Sequence, residues 1–163
     1  MEISINDALE SGFFSSEDGE NFRNYDPASI HAVITEIITP ILGKIKEIPV
    51  SSLPGKTKHA QSIKKYAKDL DKTSSIDHTE VANRALDTRG IIGEDGADAI
   101  ELRRKKTEWH ACKDISERLG KRLATIIKDN RELGDVFILQ VERESPAYPL
   151  VIHLLKSIKK DLG

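Results

Sequence analysis

Cysteine is almost missing from this chain of 163 residues: Cys112 is the only one. A lone thiol excludes an intrachain disulfide and a structural zinc site built on several thiolates. It predicts a cytoplasmic protein, or at least one independent of oxidation. Glycine and proline number 10 and 6, too few for a fibrous or low-complexity chain. Long hydrophobic runs are absent too. Charges or prolines interrupt each candidate, so no membrane-spanning stretch is expected. The start, Met1-Glu2-Ile3-Ser4-Ile5, lacks the basic residues and apolar run of a signal peptide. There is no nucleophile elbow, and Leu53-Pro54-Gly55-Lys56-Thr57 lacks the first glycine and spacing of a P-loop. The five histidines, His31, His59, His78, His110 and His153, form no metal-spaced pair. No metal or other cofactor is therefore expected. No internal repeat occurs.

Charge is what the chain has in plenty, at 32% of residues. The length suits one domain that buries roughly 70% of its unfolded surface. Net charge is only −2, but it is unevenly spread. Residues 1–30 hold seven acids and one base, a local net of −6. Residues 101–131 hold ten bases and five acids, a local net of +5. One reading is an acidic N-terminal arm, about residues 1–25, that neutralises a basic helix. The other is a basic surface for a polyanion. The acidic loop Ser15–Tyr25 lacks the ligand spacing of an EF-hand.

Periodicity predicts a mainly α fold. Asp26-Pro27 suits a helix start. Ile30, Val33, Ile34, Ile37, Ile38, Ile41, Ile45 and Ile48 then recur at three- and four-residue steps, and Pro40 should kink the helix they make. This stripe is expected to pack on the long helix. A second helix is expected over about Thr57–Lys72, with Ala60, Ile63, Ala67 and Leu70 facing inward and lysines outward. Asp77-His78-Thr79-Glu80 matches a capping box, with Ile76 and Val81 as its staple, and predicts a short helix ending near Gly90. Gly96 to Asn130 reads as one long helix. Its buried stripe is Ile100, Leu102, Trp109, Cys112, Ile115, Leu119, Leu123, Ile126 and Ile127, with Gly120 available for close packing. Residues 136–141 read as a strand pairing with Glu2–Ile5, and a last helix starts around Ser145–Pro149.

The long helix holds the candidate chemistry. Arg103, Arg104, Lys105 and Lys106 form a cationic run suited to nucleic-acid phosphates. His110 follows, and either Arg104 or Arg103 could work with it. Histidine would exchange a proton with the ribose hydroxyl, and arginine would stabilise the developing phosphorane charge. A metal-nuclease reading of Asp95, Asp98 and Glu101 is weaker, because acids at a helix start serve as caps.

Gly90-Ile91-Ile92-Gly93-Glu94-Asp95, followed by Leu102-Arg103-Arg104-Lys105-Lys106-Thr107-Glu108-Trp109-His110, resembles the later helices of HEPN domains and the related mannitol-operon regulators. The resemblance covers some thirty residues. It implies a helical bundle, in which many members are ribonucleases with arginine, four to six residues, then histidine. Arg104 and His110 match that pair. Lys105 stands where active members usually carry a small polar residue.

The expectation is thus one helical domain, residues 1–163, of four to five helices with a two-stranded β element. Its leading function is a non-enzymatic binding or regulatory module of prokaryotic or phage type, with protein or nucleic acid as partner. The alternative is a metal-independent HEPN-like endoribonuclease using the Arg/His pair. The wide aliphatic stripe and exposed strand edges predict a homodimer.

Overall fold

A short strand and a capped helix open the chain in the computed structural model, which describes residues 2–12, 14, 25–26, 28–75, 96–140 and 142–163, without the side chains at 74–75 and 96–101. The order is β1 (Glu2–Ser4), α1 (Ile5–Ser11), α2 (Ala28–Val33), a π-helical turn (Ile34–Ile38), α3 (Thr39–Glu47), α4 (Lys56–Ser75), α5 (Gly96–Asp129), α6 (Leu133–Val136), β2 (Ile138–Gln140) and α7 (Tyr148–Leu162). The fold is mainly α with one small antiparallel strand pair, as the periodicity predicts. The capping-box segment and, apart from Tyr25, the acidic loop fall outside the described residues.

Polarity and glycine set the first element. Ser4 ends β1 and caps α1, its Oγ accepting from the Asp7 N–H at 3.1 Å. Gly12 closes α1 at φ 69° in the left-handed region. Ile5 and Ala8 are fully buried. Residues 2–11 of the expected acidic arm are therefore part of the folded domain, and α1 was not legible in the sequence. Antiparallel pairing sets Ile3 opposite Leu139.

The second strand starts at Ile138 rather than at 136, and residue 141 lies outside the described residues. Residues 133–136 form α6 instead, with the Phe137 N–H bonded to the Leu133 carbonyl. Asn6 holds this turn: its Nδ2 donates to the Arg131 carbonyl and to Asp135 Oδ1, both at 3.0 Å. A Cβ at Gly134 would collide with the Asn6 amide, which would have to swing away and give up its hold on the turn.

The isoleucine stripe is buried at Ile30, Val33, Ile37, Ile38, Ile41, Ile45 and Ile48. Pro40 has no N–H for the Glu36 carbonyl, and its ring crowds that oxygen. The helix answers by widening one turn: the Thr39 N–H reaches back five residues to the Ile34 carbonyl. The stripe packs mainly on α4, α7 and β2 rather than on the long helix, which corrects the expected neighbour. By length and composition, Ala28–Glu47 also reaches what a bilayer crossing needs, against expectation. Three of its four charges, Lys44, Lys46 and Glu47, gather at one end, and Glu36 alone lies within it.

The most extensive packing joins α5 and α7. Gly120 makes it close: a Cβ there would lie 2.6 Å from the Leu154 carbonyl oxygen and 2.8 Å from Ser157 Cβ. Trp109, Cys112, Ile115, Leu119, Leu123, Ile126 and Ile127 are buried as predicted. Leu102 is not, at 43% exposed, and the Ile100 side chain lies outside the described residues. On α4, Ile63 and Leu70 are buried, and Ala60 and Ala67 are half-buried.

Candidate functional site

Four consecutive cations on a helix point in four directions, about 100° apart. Arg103 to Lys106 therefore cannot form one patch. Arg104 turns its Nη1 to Glu108 Oε1 at 3.2 Å, one turn on, and Glu108 is 4% exposed. Lys105 is half-buried on another side. Arg103 and Lys106 lie on the face that carries exposed His110. Helical geometry sets Arg104 about 120° from His110, whereas Arg103 shares its face. Of the two pairs read from sequence, the fold thus brings only Arg103 and His110 to one side.

Continued along α5, that face collects Lys113, Glu117 and Lys121 at three- and four-residue steps. Opposite it, α7 presents His153, Lys156, Ser157 and Lys160 with the same spacing. These seven residues line a groove of about 250 Å³ between the two helices. Four ammonium groups share the walls with one carboxylate, so the groove is net cationic. Gly120 lets the helices approach closely enough for both rows to share the groove. Ser157 Oγ donates to the Glu117 carbonyl at 2.7 Å and ties the walls together.

An aromatic stack lies behind the groove. His153, 3% exposed, meets Trp109 edge-on at 5.2 Å, and Trp109 meets Tyr25 at 5.9 Å. Tyr25 Oη and Cys112 Sγ are 3.5 Å apart. Burial pushes the Cys112 thiol up to about 11, and Glu108 adds to it. Burial also raises the Tyr25 hydroxyl, with the neighbouring Cys112 adding to it. Both groups stay protonated at neutral pH, which gives Cys112 no thiolate to attack with.

A roomier cavity of about 790 Å³ lies among α1, α6 and the ends of α5 and α7. Its cations Lys128, Arg131 and Lys159 face Glu10, Glu132 and Asp135, so its charge cancels. Size therefore does not single out the cationic groove. Among the described residues, no cluster of three His, Cys, Asp or Glu side chains could hold a metal ion. The side chains of Asp95, Asp98 and Glu101 lie outside the described residues.

Sequence reading missed Lys113, Lys121, His153, Lys156 and Lys160 as site residues. The spacing 153, 156, 157, 160 was a readable helical face, but only the packing of α7 on α5 turns it into one wall of a groove. No family model matches the chain, and no curated protein or solved structure matches it significantly.

Proposed function

We propose that the chain is a non-catalytic nucleic-acid-binding module of regulatory type, acting in the cytoplasm. The observation that carries this reading is the convergence of Lys113, Lys121, Lys156 and Lys160 on a groove with a single carboxylate, Glu117. Lysine ammonium groups neutralise phosphates and release their condensed counterions, which supplies affinity without chemistry. Arg103 and Lys106 extend the cationic row beyond the groove. In the alternative, a HEPN-like ribonuclease, Arg103 is the arginine that shares a face with His110, and Arg104 is engaged by Glu108.

Labelled RNA incubated with the purified protein in low salt and chelator separates these readings. The binding module retains intact RNA. Failure to retain RNA contradicts it, and cleavage abolished by His110→Ala favours the nuclease.

The module acts as a homodimer in this reading. The buried stripe gives no support to that assembly, but Ile138 stays 44% exposed on β2. Light scattering should give about twice the 18.2 kDa chain mass. A monomer at high concentration contradicts the dimer.

A further inference from the structure

Resting on that binding reading, we propose that the α5–α7 groove takes the backbone of a double-stranded nucleic acid and senses its charge rather than its bases. Base recognition uses guanidinium forks, side-chain amides or open aromatic rings. The groove offers ammonium groups, which act as point charges and meet any phosphate. Its other polar side chains are committed elsewhere. Ser157 Oγ gives its proton to the Glu117 carbonyl, and His153 is buried against Trp109. Trp109 and Tyr25, the rings behind the groove, are 2% and 3% exposed and present no stacking face.

Charge density favours a duplex. From Lys113 to Lys121 the α5 wall of the groove runs about 12 Å at the helical rise. A row that acts by charge alone favours the denser polyanion, because each phosphate neutralised on a duplex releases more counterion than on a single strand.

The test is fluorescence anisotropy at low salt with three labelled RNAs longer than the row. Two are duplexes, one rich in A·U and one rich in G·C, and the third is an unpaired strand of equal length. The duplexes should bind within about threefold of each other, and the unpaired strand roughly tenfold more weakly. A single strand that binds as tightly, or a tenfold preference between the duplexes, overturns this inference and leaves the binding reading standing. Silence from all three RNAs removes the binding reading itself. Lys113→Glu/Lys121→Glu/Lys160→Glu should lower duplex affinity at least about tenfold. The net-charge control, Lys58→Glu/Lys65→Glu/Lys68→Glu on the exposed outer face of α4, should change it less than about threefold. Equal losses in the two triples overturn the groove assignment. The Lys→Gln version of the groove triple should give a smaller loss of the same kind, and keeps the test open should the glutamates loosen the helices.

Discussion

His59 sits near the start of α4 with its ring beside Gly55, whose backbone takes φ 74°. It is 5% exposed. Burial, then Arg122 on α5 and to a lesser degree Lys58, hold its pKa below the ordinary 6.5. Asp129 and a hydrogen bond with the Pro54 backbone oppose the shift. A neutral form favoured by folding means that the unfolded chain takes up the proton first. The His59 contribution is therefore fully present above the unfolded value of 6.5 and is lost as pH falls below it toward the folded pKa. In thermal melts between about pH 7.5 and about pH 5, the wild type should lose more Tm than His59→Gln. Parallel curves would contradict this account. Nothing in the sequence distinguished His59 from the other four histidines, because its burial depends on α4 meeting α5. Arg104 was opaque in the same way. Its place in a run of cations was visible, but its turn toward Glu108 emerges only on the helix.

At the scale of elements, the helix 28–47 was legible in its apolar spacing and in Pro40, and the π-helical turn is the local form the proline kink takes. What the stripe rests on was not legible, since periodicity gives a face and not its partner. Ile37 is 1% exposed in that face. Ile37→Asp buries an unpaired charge, costs more than about 4 kcal/mol and should leave the domain unfolded by circular dichroism. A melt within a few degrees of wild type would refute the core assignment. Two helical glycines, at 43 and 120, give opposite signs for one substitution. Gly43→Ala meets nothing within 4 Å and should stabilise α3 by about 0.5–1 kcal/mol. Gly120→Ala presses on the Leu154 backbone, which cannot rotate away. It should cost about 1–3 kcal/mol in urea unfolding despite better helix propensity. Equal effects at both positions would mean that α5 and α7 are not held in close contact at Gly120. Strand limits were the least legible feature, because Val136 suits a strand by type while Asn6 and Gly134 hold a helical turn there.

Across the whole molecule, the charge asymmetry was visible in composition, and the helical class followed from spacing. The groove was not, because its lysines come from segments some forty residues apart. The two rows become one site only when Gly120 lets α7 lie against α5. In the proposed binding reading, affinity for nucleic acid resides in Lys113, Lys121 and Lys160 acting together. The measurement that tests it most directly is the salt dependence of RNA-duplex affinity for wild type and for Lys113→Glu/Lys121→Glu/Lys160→Glu. Three phosphates neutralised by Lys113, Lys121 and Lys160 should give the wild type a slope of log K against log salt of about −2.5 to −3, and the variant a slope shallower than about −1. Equal slopes for the two proteins, or no measurable affinity in the wild type at low salt, would contradict the account.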